Sequence, residues 1–362
     1  MTRPESNDLP PRILFVTRKW APAMGGMERY SQRLVEQLRM IEPVECIALP
    51  GRADGQPPSP LALLTFPFAV LRSWLARRSD PPVVLHLGDL ALWPLGLLAR
   101  TTARRTRVAI SLHGTDAGYH RRRTWRGAAY RFYLRLGARM LRDAVLIANS
   151  RATADAAGEA GWRTRAIVPL ATDMQEPNLR PEGTAHLLFA GRLIPRKGLL
   201  WFVREVLPLL PKSIRLRVAG ARWDAAEGAA LNDPRVDYLG ILTPPALATA
   251  YATASCVIVP NIDLHDGEFE GFGLVAPEAA AAGGIVVAAA LDGIFEAVRD
   301  GETGFLVASG DAREWADRIM DIANWDASRR ADFVARSRKS IATHYSWDRV
   351  ARQTMETYGI DR

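Results

Sequence analysis

The sequence predicts an α/β chain made of two Rossmann-like units joined by a linker, and three observations carry that prediction. Short β-branched and aromatic runs alternate with glycine loops and helical segments along most of the chain. The alternation dissolves around Asp173–Thr184 into polar and proline residues, then restarts. A length of 362 residues leaves room for two or three domains. The predicted limits are 1–172 for the first unit, 173–184 for the linker, 185–345 for the second unit and 346–362 for a C-terminal helix.

Arg12–Thr17 reads as the opening strand, followed by a loop with Pro22, Gly25 and Gly26 and by helical spacing over Met27–Met40. Further strands are expected at Val83–Leu87, Val108–Leu112, Val145–Ala148 and Ala166–Leu170. The second unit repeats the pattern at Leu187–Ala190, Arg215–Ala219, Val236–Leu239, Cys256–Pro260 and Ile285–Ala288. Strands so apolar belong in a parallel sheet covered on both faces, and ligands then bind beyond their carboxyl ends. Trp347–Tyr358 has the pattern of an amphipathic helix.

Composition excludes several classes. With 48% hydrophobic and 24% charged residues, the chain is neither disordered nor collagen-like. Cys46 and Cys256 stand far apart without metal-ligand spacing, so they read as reduced core residues of a cytoplasmic protein. Met1–Arg12 is polar and proline-rich, unlike a signal peptide. The longest apolar run, Leu61–Leu71, contains Pro67 and falls well short of the roughly 20 residues of a spanning helix. The net charge of +8 is uneven: residues 1–180 hold 27 basic and 15 acidic residues, residues 181–362 hold 20 and 24. Such a basic first half suits a polyanionic partner. Only four of the 47 cationic residues are lysines, which singles out Lys197.

Four groups carry chemistry. Gly191-Arg192-Leu193-Ile194-Pro195-Arg196-Lys197-Gly198 follows a strand and precedes a helix, so its cations and the helix N-terminus suit a phosphate or diphosphate. Glu270-Gly271-Phe272-Gly273-Leu274-Val275-Ala276-Pro277-Glu278 offers two carboxylates eight positions apart. Pro277 places the helix start near Leu274, which leaves Glu270 in the loop and puts Glu278 on the first turns. Carboxylates suit the paired hydroxyls of a sugar or ribose, and the amides of Gly271–Leu274 are free to bind. His113-Gly114-Thr115-Asp116 follows a strand's carboxyl end. Gly25-Gly26 opens the first helix but does not form the dinucleotide G-x-G-x-x-G fingerprint.

Together these groups resemble the retaining glycosyltransferases of family four, of GT-B fold, with matching motifs from Arg12 to the C-terminal helix. GGMER at 25–29, HGTD at 113–116, GRLIPRKG at 191–198 and DGEFEGFGLVAPE at 266–278 carry the likeness, with AAGGIVVA at 281–288 and GIFEAVRDGETGFLV at 293–307. The resemblance implies two Rossmann-like domains facing each other across a cleft, with the C-terminal helix returning to the first. It also implies that Arg192 and Lys197 hold the donor diphosphate and that Glu278 holds the ribose. Glu270 and the amides of Gly271, Phe272, Gly273 and Leu274 would hold the sugar, with His113 close to it. Gly25 and Gly26 would let the backbone reach phosphate or acceptor. The implied reaction is front-face transfer with retention, without cofactor or metal, from a nucleotide-diphosphate sugar.

Two turns depart from the family pattern, Leu170-Ala171-Thr172-Asp173 and Gly220-Ala221-Arg222-Trp223, so the nucleotide base is left unassigned. No Asp-x-Asp triplet occurs. Asp263, His265, Asp266 and Glu268 form an oxygen-rich loop that fits hydroxyl recognition as well as a metal. Tyr119–Arg142 holds eight arginines, no acidic residue, and Trp125, Tyr130, Phe132 and Tyr133. With the apolar Leu61–Arg78 segment, it suggests docking on an anionic membrane at its inner, cytoplasmic face and a lipid-linked or membrane-associated glycan as acceptor. Asp116, Arg121, Arg122 and Arg123 are the expected acceptor contacts. A nucleic-acid partner is not expected, because no binding module is recognisable. The alternatives are another GT-B sugar-nucleotide enzyme (an epimerase or glycan synthase) or a non-catalytic sugar-nucleotide-binding protein at a membrane surface.

Overall fold

The computed structural model describes residues 12–23, 25–177 and 186–360, so residues 178–184 of the expected linker lie outside the described residues. The chain divides into two compact units, one running to Val168 and resuming at Trp347, the other spanning Pro169–Ser346.

The first unit contains β1 (Ile13–Trp20), α1 (Gly26–Leu38), β2 (Val44–Pro50), α2 (Pro60–Ala76), β3 (Val84–Leu87), α3 (Gly96–Thr102), β4 (Arg107–Leu112), α4 (Gly114–Gly118), α5 (Trp125–Met140), β5 (Val145–Ala148), α6 (Arg151–Glu159) and β6 (Thr164–Ile167). Its strands pair in the order β2-β1-β3-β4-β5-β6, all parallel. Ile13–Val16 of β1 are fully buried, as a strand covered on both faces must be. Right-handed crossovers put α1 on one face of this sheet and α2, α3 and α5 on the other. The last helix, α14 (Trp347–Tyr358), packs on α1. There the Arg107 guanidinium binds the Tyr358 carbonyl at 2.6 Å, and the buried Tyr358 hydroxyl meets His86 Nδ1.

The second unit contains β7 (His186–Ala190), α7 (Leu199–Trp201), β8 (Arg215–Ala219), α8 (Ala225–Gly228), β9 (Val236–Gly240), α9 (Pro244–Thr253), β10 (Cys256–Val259), α10 (Val275–Ala282), β11 (Val286–Ala289), α11 (Ile294–Ala297), β12 (Phe305–Val307), α12 (Ala312–Ala323) and α13 (Ala327–His344). Its sheet runs β12-β11-β10-β7-β8-β9, again parallel.

Both strand orders reverse direction once, at β1/β3 and at β7/β10. Splayed loops at such a switch point open a crevice at the carboxyl ends of the strands. The motif Gly191–Gly198 leaves β7 there, and Gly25-Gly26 follows β1.

The structure moves some expected boundaries. Two strands, β2 and β12, were not expected. β2 carries Glu45 and ends at Pro50, and no residue of it is fully buried, so its apolar pattern is weak. The first unit ends at Val168 rather than 172, because the Thr172 amide donates to the Tyr345 carbonyl at 3.1 Å and so belongs with the second unit. Glu176, inside the expected linker, pairs with Arg338 at 2.6 Å in that same unit.

Candidate active site

The loop after β7 is shaped by two glycines. Gly198 has φ +70°, and a Cβ there would lie 1.9 Å from the Pro260 carbonyl oxygen, so only glycine lets the loop press against the end of β10. Gly220 has φ +145° and would bring a Cβ within 1.8 Å of the Gly191 oxygen, which locks the start of this loop to the end of β8. Between Gly191 and Gly198, Leu193 is buried and Pro195–Lys197 form a single 3₁₀ turn. The Arg196 carbonyl accepts from the Ile262 amide at 3.1 Å. The turn therefore holds Arg196 and Lys197 beside the chain leaving β10.

Glu270 reaches the same place from the other side of the switch point. Its Oε2 lies 2.6 Å from Lys197 Nζ and 3.7 Å from Arg196 Nε, and it accepts from Asn261 Nδ2 at 3.1 Å. Its backbone is clamped as well: the amide donates to Asp292 at 3.0 Å, and the carbonyl accepts from Gly293 at 3.0 Å. Burial pushes the carboxyl up, but the charges of Lys197 and then Arg196, with hydrogen bonds from Lys197 and Asn261, outweigh it and hold Glu270 at about 2. At neutral pH this is a fixed carboxylate beside two cations, with a side chain only 12% exposed. Such an arrangement can accept hydrogen bonds from hydroxyl groups and set positive charge against an anion.

The other expected donor residues stand on the loop after β7, on the loop that carries Glu270 and on α10. Arg192 is exposed, and its guanidinium lies 5.3 Å from the centre of the Trp223 ring, itself exposed. Gly271 is half-buried, the Phe272 side chain is core packed toward Tyr345, and Gly273 has φ +87°. Leu274 is the residue before α10, and Glu278 lies on the first turns of that helix, near the buried Tyr251, as the position of Pro277 required. Asp263 and His265 are exposed and lie 3.0 Å apart. Among the described residues no group of three or more His, Cys, Asp or Glu could hold a metal.

In the first unit, His113 precedes α4 at the carboxyl end of β4. Its Nε2 meets the Gly88 carbonyl at 3.2 Å, and its ring packs edge-on to Tyr30 with centroids 4.8 Å apart. Burial lowers its pKa to about 4 despite the nearby Asp89, so the ring is neutral at pH 7. Asp116 is buried, and its carboxylate accepts from the amides of Leu90 (2.7 Å), His113 (2.7 Å) and Ala117 (2.9 Å). It ties the loop after β3 to the loop after β4, which is a holding task rather than an exposed acceptor contact. Arg121 is bidentate to Glu159 at 3.1 and 2.8 Å, Arg122 lies over the Tyr119 ring, and Arg123 is exposed. Gly25 precedes α1 in extended conformation and Gly26 begins it.

Sequence reasoning passed over Asn261, Asp292, Arg18 and Asp89. Asn261 had a usable signal, a polar residue just past an all-apolar strand. Asp89, fully buried and paired with Arg18 at 2.9 Å, stands at the equivalent place after β3.

Residues 40–172 match the family model described as glycosyl transferase 4-like domain, and residues 184–324 match that described as glycosyl transferases group 1. The chain is 36% identical over 200 residues to a D-inositol 3-phosphate glycosyltransferase of Nocardioides sp., covering 49% of this chain and 42% of the relative. The corresponding protein of Mycobacterium leprae is 35% identical over 182 residues, covering 47% and 40%. The matches thus span less than half the length of these curated relatives. Among solved structures, sucrose-phosphate synthase from Thermosynechococcus elongatus superposes with a TM-score of 0.70 at 18% identity, covering 96% of this chain and 98% of that one. Anabaena HepE in complex with UDP-glucose gives 0.65 at 19% identity, covering 96% and 99%. These likenesses show the GT-B fold.

Proposed function

The chain belongs to the glycosyl transferases group 1 family, and from that premise we propose that it moves a sugar from a nucleoside-diphosphate sugar to an acceptor hydroxyl, with retention and without a metal. The observation that carries the reading is the Lys197–Glu270 pair at the β7/β10 switch point. In this proposal Lys197 and Arg192 offset the charge that grows on the departing diphosphate, the largest electrostatic demand of such a reaction. Glu270 and the backbone of Gly271–Leu274 receive the sugar hydroxyls, and Glu278 the ribose. His113 serves the sugar from the first unit as a neutral hydrogen-bonding group, with Gly25 and Gly26 leaving room for phosphate or acceptor. Arg122 and Arg123 are the acceptor contacts retained. HepE bound to UDP-glucose makes UDP-sugars the first donors to test.

The acceptor is proposed to be lipid-linked or membrane-associated, with the enzyme docked at the inner face of the cytoplasmic membrane. α2 exposes Leu61, Leu64 and Phe68, each about 70% accessible, and α5 exposes Trp125 and Phe132 at 76% and 70%. Trp74 Nε1 of α2 donates to Thr102 of α3 at 2.8 Å, and Arg100 of α3 donates to the Met140 carbonyl of α5 at 2.6 Å, so the three helices form one layer. α2 and α5 themselves carry Arg72, Arg126, Arg131, Arg135 and Arg139 and no acidic residue. An apolar and cationic face of this kind suits an anionic lipid surface. Among the described residues no helix is long and apolar enough to cross a membrane.

Two experiments test the reading. Transfer from an α-linked UDP-sugar in excess EDTA, with the product anomer assigned by NMR, should give an α-linkage; a β-product or an absolute metal requirement would refute the mechanism. Flotation with vesicles containing anionic lipid should carry the protein at low salt, and absence from the floated fraction would refute the docking.

A further inference from the structure

The amino edge of the first sheet, opposite the edge that carries His113, holds a cavity of about 1020 Å³ lined, among the described residues, by seven arginines and a single carboxylate, Asp143. The arginines come from separate parts of the chain. Arg104 and Arg105 stand on the turn between α3 and β4, Arg142 follows α5, and Arg163 and Arg165 flank the start of β6. Arg100 and Arg107 complete the ring and are committed to backbone carbonyls. Among the described residues, none of the other five stands in an ion pair, although all are exposed. A second cavity of about 590 Å³ shares Arg142 and Arg163 and extends the basic lining to Arg135 and Arg139 of α5.

Guanidinium groups gathered around one concave space repel one another, and a bound polyanion relieves that repulsion. The planar forks of arginine match phosphate oxygens in pairs, and groups arriving from three separate segments can engage several phosphates at once. The six residues of β4 set this cavity roughly 20 Å from the carboxyl edge. It is thus separate from the residues assigned to transfer. We propose that it is a second, non-catalytic binding site for a ligand carrying clustered phosphate groups. The ligand can be a free polyphosphorylated molecule or the headgroup of an anionic lipid, since both present the same chemistry.

The test uses the full chain, sodium tripolyphosphate and cardiolipin-containing vesicles as probes. One variant is Arg104→Ala/Arg105→Ala; a second, Arg163→Ala/Arg165→Ala, approaches from the other wall. All four side chains are exposed, so both variants should melt within a few degrees of the parent. At about 0.15 M salt, close to the physiological ionic strength at which surface attraction is already screened, the parent should bind at least one probe. Each variant should weaken that binding tenfold or more, while donor-sugar turnover stays at the parent level. A loss seen with tripolyphosphate identifies a free polyphosphate as the ligand class; a loss seen with vesicles alone identifies the lipid headgroup. Failure of the parent to bind either probe, or equal binding by parent and both variants, overturns the proposal. Because turnover is read separately, that failure stays distinguishable from failure of the transferase reading.

Discussion

Replacing Lys197 by alanine separates what the Lys197–Glu270 pair does for stability from what it does for transfer. The ammonium lies 2.6 Å from Glu270, whose carboxyl is held at about 2 against an ordinary value near 4.5. That displacement corresponds to about 3 kcal/mol favouring the ionised form in the folded chain. Stripping one partner from a buried pair costs about 3–5 kcal/mol when the other charge is left alone. Here Arg196 at 3.7 Å and Asn261 at 3.1 Å remain, so the expected loss is smaller, about 1–3 kcal/mol. It should appear as a lower urea midpoint at unchanged slope. Transfer should fall further, by about 10²–10³ in kcat, the scale for removing one group that stabilises developing charge. Lys197→Ala/Glu270→Gln removes the stranded carboxylate and should regain most of the stability but none of the rate. A double variant that recovers the rate, or a single variant as stable as the parent, would refute the argument.

Other outcomes follow from the same geometry. Because Glu270 is depressed, its contribution is complete above about pH 4.5 and lost as pH falls through about 2; acid unfolding of Lys197→Ala should begin at higher pH than in the parent. Gly198→Ala forces a left-handed residue and a Cβ against Pro260, a cost of about 3 kcal/mol; a change in urea midpoint worth under 0.5 kcal/mol, roughly the reach of an ordinary surface substitution, would contradict the packing. Asp116→Ala orphans three buried amides and should cost about 3 kcal/mol by calorimetry. His113 is neutral well above its value of about 4, so His113→Gln should leave the shape of the kcat/KM profile between pH 6 and 8 unchanged. Since its pKa is lowered on folding, its effect on stability is a loss as pH falls from about 6.5 toward 4.

The donor-side motifs were legible because their chemistry is local. Glycines beside Glu270 and the cations of 191–198 announce a loop that must approach something charged, and Pro277 fixes where α10 begins. What brings Lys197 to Glu270 is not local. It depends on β7 and β10 being neighbours although some 65 residues separate them, and only the sheet order supplies that. The same non-local pairing hid Asn261 and the Asp292–Gly293 clamp. Asp116 misled for a different reason: an aspartate after His-Gly-Thr looks exposed, whereas its carboxylate bridges two loops through backbone amides that no side-chain pattern records. β2 escaped because an edge strand with a glutamate and a terminal proline gives little alternation to read.

The most direct test of the central claim is release of nucleoside diphosphate from a panel of UDP-, GDP- and ADP-sugars, run side by side with the parent and with Glu270→Ala. The parent should turn over at least one donor, and the variant, while staying folded, should lose that turnover by at least about 10²-fold. Equal rates in the two proteins, or no turnover of any donor, would contradict the claim.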